Sequence, residues 1–330
     1  YQITTSDLRN IDYSLQTGSV DVLVDITDPD TDGTFLFSGK MNQLNVDASA
    51  ALPLDFDPEQ PELMFSSGLR GNGSYTFASA DYMFDFKDGS DAANGSVSMG
   101  TGSVIGGMDD ESLSYDASLR DLSLDVNVPD FPFPINVTTA EYGFGIAMPL
   151  APTEEPADIG LKFNLVDLAV NDEIWMMGDP TNALPHDPVT LKLDLVGKAK
   201  MLFNLFDPEQ AEAMAFAEAP GELYGLTLND LTLRAAGAEV TGTGDFTFDN
   251  SDLETFDGLP RPMGSVTVNI NGANQLIDSL VGMGLLPEEQ AMMGRMMMGM
   301  FARTVGEDQL TSTLEINEQG HVLANGQRIQ

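Results

Sequence analysis

Apolar side chains in this chain recur at every second position, and short runs of Asp, Pro, Asn and Gly interrupt them. Val20, Val22, Val24 and Ile26 alternate with polar residues, Asp28–Gly33 forms a turn, and Phe35 and Phe37 resume the alternation. Tyr75 and Phe77, Phe84 and Phe86, and Phe246 and Phe248 keep the same spacing. A period of two places successive side chains on opposite faces of a strand, and turn residues between such runs join them as hairpins. The chain ends the same way: Leu310–Ile316 alternates, Asn317–Gly320 turns, His321–Ala324 returns, and Asn325-Gly326 turns again. The expected fold is therefore mainly β, an elongated, twisted and curved antiparallel sheet shaped as a groove, with a few short helices.

One stretch breaks the pattern. Leu276, Ile277, Leu280 and Val281 follow a helical spacing, Gly282 and Gly284 weaken it, and Pro287 suits the first position of a new helix. Met292, Met293, Met296, Met297, Met300 and Phe301 then form a second stripe at the same spacing. Asp278, Glu288, Glu289 and Arg295 interrupt the apolar run, so neither half reaches the ~20 residues of a membrane span. The first reading of this pair is a cover packed on one face or end of the sheet. Unbranched, polarizable methionine also suits a surface that meets acyl chains or a greasy partner. A thioether site for Cu(I) is a third reading, since soft sulfur ligands select that ion.

Short signatures recur. An apolar–any–polar–Leu–small–apolar run appears at Met41–Val46, Leu119–Leu124, Leu165–Val170 and Leu228–Leu233. Gly-Ser-Val is read as opening strands at Gly18, Gly95, Gly102 and Gly264, and Asp57-Pro58-Glu59-Gln60 repeats as Asp207-Pro208-Glu209-Gln210. In the last motif Asp is read as a helix N-cap and Pro as a first-turn residue. These repeats suggest a degenerate duplication within one continuous sheet, a β region over 1–150 and another over 151–330. Helices are expected near 207–218 and 274–303, and the proline-rich Pro149–Asp158 is the expected boundary. Trp175, the sole tryptophan, is expected to be packed.

Charge narrows the partners. The 330 residues carry 52 acidic and 14 basic side chains, a formal net charge of −38. Such a chain repels nucleic-acid phosphates, so no nucleic-acid partner is expected. Its apolar share of 42 %, patterned in alternation, argues for a folded chain rather than a disordered one. Without cysteine it has no disulfides, cysteine-bound zinc or thiol catalysis. Tyr1–Thr4 already reads as strand, so a mature or trimmed chain is expected, its signal peptide removed.

Chemistry-bearing motifs are few. Asp28, Asp30, Asp32 and Gly33 match the first half of a Ca²⁺-binding loop, but Gly39 occupies the position of its bidentate glutamate. A solvated turn and a weak Ca²⁺ site are the two readings. His186 and His321 stand in no metal-ligand spacing, and no nucleophile elbow, Walker loop or dinucleotide fingerprint is present. No enzymatic activity is expected.

From Leu231-Thr232-Leu233 through Gly237–Phe246, and on through Gly264-Ser265-Val266 to Asn274–Asp278, the chain resembles a recurrent stretch of AsmA-like envelope proteins. The ending Gly320–Val322 to Asn325–Ile329 is similar too. The whole chain resembles an uncharacterised alphaproteobacterial periplasmic family known as a domain of unknown function. That resemblance implies a long curved sheet with an apolar groove, a periplasmic or secreted location, lipid handling at the envelope, and no catalytic residues. The expected function is binding of a lipid or other hydrophobic ligand, with Leu276, Ile277, Leu280, Met292, Met293, Met296, Met297, Met300 and Phe301 as its contacts. Docking of an envelope protein through the Met-rich helix or the sheet edges is one alternative. A Ca²⁺-dependent adhesive module using Asp28, Asp30 and Asp32 is the other.

Overall fold

The computed structural model describes residues 1–5, 9–53, 68–207, 209–217 and 219–330. Leu8, the first Asp-Pro-Glu-Gln copy at Asp57–Gln60, and Pro208 of the second copy lie outside the described residues. Among the described residues eighteen strands form one antiparallel sheet, accompanied by four short helices. Residues group into two units, Tyr1–Gly145 with Leu165–Ile174 and Ile146–Asn164 with Trp175–Gln330.

In the first unit β1 (Gln2–Thr5) pairs with β2 (Asn10–Thr27), and β2 runs the length of β3 (Thr34–Ala51). β3 then pairs with two strands in tandem, β4 (Arg70–Phe77) with residues 45–51 and β5 (Ser79–Asp88) with residues 34–42. β6 (Asp91–Met99) and β7 (Gly102–Met108) continue the ladder from β5 and β4, and β8 (Ser112–Asn127) pairs with both. Residues 135–145 of β9 (Ile135–Pro149) and 165–170 of β10 (Ala157–Val170) complete it, and the Thr139 hydroxyl donates to the Val166 carbonyl at 2.8 Å; the remaining residues of both strands belong to the second unit.

These long strands are creased along one line. The β4–β5 break falls at Ala78, whose N–H donates to the Asn42 carbonyl, and the β6–β7 break at Gly100-Thr101 meets Arg120 of β8. Beside those breaks Gln43 (φ 53°) and Asp121 (φ 51°) adopt the left-handed conformation, and Asp167 of β10 does so too. Each is the polar third residue of the leucine signature, and in the fourth copy the register shifts between Leu228 and Leu231. The repeated signature is therefore a crease marker. Asp is among the residues that tolerate the left-handed region, and one such residue re-aims a strand.

Gly-Ser-Val opens a strand only at Gly102; at Gly18, Gly95 and Gly264 it lies within one, and its role is a different one. Phe84 faces Gly95 across β5–β6, Phe77 faces Gly102 across β4–β7, and Phe246 faces Gly264 in the second unit. A β-carbon on Gly95 would lie 2.9 Å from the Phe84 ring, and one on Gly102 would overlap the Phe77 ring. At Gly95 and Gly102 the glycine leaves room for the ring to lie over the backbone, whereas at Gly264 the close neighbours are the backbone of Asp245 and Phe246. Gly18 has open space around it and no such ring.

In the second unit β11 (Val189–Met201), β12 (Gly221–Ala235), β13 (Ala238–Asp249) and β14 (Arg261–Asn271) form a meander. β14 pairs with β16 (Gln309–Ile316), which also carries β15 (Arg303–Gly306) and β17 (Val322–Ala324); β18 (Gln327–Arg328) pairs with β17. The helices are α1 (Asp172–Gly178), α2 (Ala211–Phe216), α3 (Ala273–Gly282) and α4 (Glu288–Phe301). The sequence reading lacks α1. Asp207 is not the N-cap of α2: Gln210 occupies that place, and the Asp207 carboxylate accepts from the Glu209 N–H and the Gln210 side chain in the turn before it. Among the described residues the buried apolar side chains include Ala80, Pro149, Leu150, Met201, Ala291, Leu310 and Ala324.

Candidate functional site

The helical hairpin forms where it is expected, but its apolar stripe points the other way. Met292, Met293, Met296, Met297 and Met300 are 52–72 % exposed, and the buried residue of α4 is Ala291. The reason lies in the opposite face. Arg295 donates to the Asn274 side chain and carbonyl and to Asp278 at 2.6 Å, so the residue meant for solvent is pinned against α3. Ala291, Arg295 and Met298 share that inner face by helical spacing. The expectation of a methionine face packed on the sheet is thus reversed for those five; Phe301 is half-buried. Pro287 stands at the N-cap with extended backbone rather than at the first helical position. Leu276, Ile277 and Leu280 are half-buried on α3. Gly284, at φ 74°, ends α3 in the left-handed conformation common one residue past a helix.

An apolar cleft of 690 Å³ opens at the opposite end of β14. Ten residue steps along that strand, about 33 Å, separate its two ends. Leu202 and Phe203 come from the end of β11, Leu223 from β12, and Phe248 from β13. Leu253, Phe256, Leu259 and Pro260 come from the β13–β14 loop, and Pro262 from β14. The volume falls within the ~300–1,000 Å³ typical of small-molecule sites. Leu202, Leu253 and Leu259 are 48 %, 46 % and 67 % exposed, so the mouth is greasy.

The loop that forms one wall is built around Arg261. Its guanidinium meets Asp249 at 3.0 Å, Asp252 at 3.5 Å and the Glu318 carbonyl at 3.2 Å. Asp252 also accepts from the Thr255 N–H and hydroxyl, and Asp249 accepts from the Ser251 N–H and hydroxyl. Hydrogen bonds from Thr255 hold Asp252 below the usual aspartate range, and those from Ser251 do the same for Asp249, with Arg261 adding to both. Asn250 donates to the Leu223 carbonyl at 2.9 Å and ties the loop to β12.

A family model described as "Uncharacterized protein conserved in bacteria (DUF2125)" matches residues 92–326. The chain belongs to that family. Comparison with curated proteins and with solved structures returns no match.

In this DUF2125 chain the Asp28 loop is a hydrogen-bonded turn. The Asp28 carboxylate accepts the Asp30 N–H at 2.8 Å, the Asp28 N–H donates to the Gly33 carbonyl, and Asp32 is left-handed at φ 55°. The bond from Asp30 lowers the Asp28 pKa. Among the described residues no three acidic or histidine side chains converge as an ion would require. Asp179, buried beyond α1, accepts the Ala183 N–H at 2.9 Å and the Leu184 N–H at 2.7 Å, and Trp175 stacks on His186 at 4.8 Å. These bonds close a loop and hold the indole. Among the described residues no helix is long and apolar enough to cross a membrane.

The hairpin residues named from the sequence do not line the cleft. Of the cleft residues, Phe248 belongs to the alternating aromatic series. The others are scattered over strands β12 and β14 and the loops that follow β11 and β13, with no shared period. Their one signal is apolar content, Leu253, Phe256 and Leu259, in a loop otherwise composed of turn residues.

Proposed function

We propose that this chain is a non-enzymatic periplasmic or secreted protein that binds a lipid or other hydrophobic molecule in the Arg261-braced cleft. The observation that carries this is an apolar cavity of ligand size, walled by Phe248, Leu223 and Phe256, on a chain otherwise dominated by acid. Burial of apolar ligand surface stabilises a complex by about 25 cal/mol per Å² before the cost of association. The envelope location rests on the AsmA-like resemblance of the last hundred or so residues.

The test uses the neutral dye N-phenyl-1-naphthylamine, whose fluorescence rises in apolar surroundings. Saturable binding to the wild-type chain, lost in Leu253→Asp and Leu259→Asp, is the expected result. No saturable binding by the wild type overturns the proposal.

Exposure of the α4 methionines favours a second reading, a partner protein covering that face. Contiguous exposed apolar surface of several hundred Å² commonly marks an interaction site. A photo-crosslinker at Met296 in cells, read against Met296→Glu, checks it; a defined partner joined only by the first chain is the expected product.

A further inference from the structure

We infer that the cleft selects a neutral or cationic amphiphile over an anionic one, an inference that rests on the proposed reading of the cleft as a ligand site. Among the described residues lining it, the single charged side chain is Glu222. Its carboxylate accepts the Tyr224 hydroxyl at 2.7 Å, which leaves its other oxygen for a ligand. That hydrogen bond raises the Tyr224 pKa, with burial and the charges of Glu222 and Glu155 adding to it, so the phenol stays a neutral donor.

Lys200 and Arg261, the cations beside it in register and in sequence, are outside that lining. Lys200 faces Glu222 across β11–β12, but its ammonium donates to the Glu154 carbonyl at 2.6 Å. Arg261 is adjacent in sequence to the lining residues Pro260 and Pro262, and its guanidinium is held by Asp249, Asp252 and the Glu318 carbonyl. A fatty acid or phosphate head drawn into this mouth would meet Glu222 and no cation in the described lining, inside the field of a chain of net charge −38. An ammonium head would find a partner; an uncharged head would pay no such penalty.

The experiment displaces bound N-phenyl-1-naphthylamine with three amphiphiles of one chain length, below their micelle concentrations: dodecyltrimethylammonium, dodecyl maltoside and laurate. The expected order of potency is cation, then neutral, then anion, with cation and anion separated by on the order of tenfold, about 1.4 kcal/mol. Glu222→Gln should bring the potency of the cation down to that of the neutral probe, and saturable dye binding by Leu276→Ala, a variant outside the lining, reports that the cleft is intact. Laurate equal to or better than the cation overturns the inference while the cleft reading stands. A cation preference that survives Glu222→Gln and vanishes at high salt also overturns it, because the field of the whole chain would then be the cause. Displacement by none of the three removes the cleft reading itself.

Discussion

Asp308 caps helix α3 from the far side of the helical hairpin, its carboxylate accepting the Asn274 N–H at 3.0 Å and the Asn274 side chain at 2.9 Å. Its second oxygen accepts the Gln275 N–H at 3.0 Å. Gly272, the residue at the N-cap position, supplies no side chain, so the orphan donors of the first turn are satisfied through tertiary structure. Asp308→Ala should cost about 1 kcal/mol, the usual value of a lost cap. A fall in the thermal midpoint, together with faster hydrogen exchange over 273–282, would report it; unchanged exchange there would speak against the cap.

The charge on Asp308 gives that cap a pH sign. Burial raises its pKa, but the hydrogen bonds from Gln275 and Asn274 and the nearby Arg295 outweigh burial and leave it lowered. A lowered pKa contributes stability above the ordinary aspartate value of about 3.9, and the contribution fades as pH falls through the folded value. The same sign applies to Asp249 and Asp252 beside the cleft. Dye binding should therefore hold steady from neutral pH down to the ordinary aspartate value of about 3.9 and decline only below it. Arg261→Met should weaken binding at every pH, since its loop loses the cation that joins both carboxylates.

Creasing at Gln43 has its own consequence. A non-glycine residue in the left-handed region carries about 1 kcal/mol of strain. Gln43→Gly should raise the thermal midpoint, and the β-branched Gln43→Val should lower it. Identical midpoints for the two variants would show that the left-handed backbone is not what matters there.

Glycines of the Gly-Ser-Val signature should differ according to what faces them. Gly95→Ala drives a β-carbon into the Phe84 ring and the Asp125 carbonyl, a misfit of about 1–3 kcal/mol. Gly18→Ala meets nothing and should be neutral or mildly stabilising. Chemical denaturation of the two single variants compares them directly.

Oxidation should distinguish the methionines. Met292, Met293, Met296, Met297 and Met300 are open to solvent, whereas Met201 is 8 % exposed. Brief peroxide treatment followed by peptide mass spectrometry should convert the α4 set faster, on the order of tenfold, because sulfoxide formation follows access. Equal rates would mean that the methionine face is covered.

Much of this was legible before any coordinates. A two-residue period between turn residues specifies strands, and Asn325-Gly326 does turn between β17 and β18, with Asn325 left-handed. Periodicity also placed α3 and α4, because adjacent apolar pairs recurring every four residues share one face of a helix but fall on both faces of a strand. It could not say which face of α4 turns inward. A methionine stripe is the apolar side of that helix in any context, and only the reach of Arg295 to Asn274 and Asp278 sets its rotation. The cleft was hidden for a related reason. Leu202, Leu223, Phe248 and Phe256 are far apart along the chain, and no local rule brings them together.

Local propensity and alternation are properties of neighbouring residues, so the strands, the turns and the helical hairpin follow from the chain alone. Which apolar faces meet, and which stay open, depends on register and on a few long-range polar contacts such as Asp308 to Asn274 and Arg261 to Asp249. Those contacts link residues that only the assembled sheet makes neighbours. For that reason the cleft and the exposed methionine face belong to the tertiary structure.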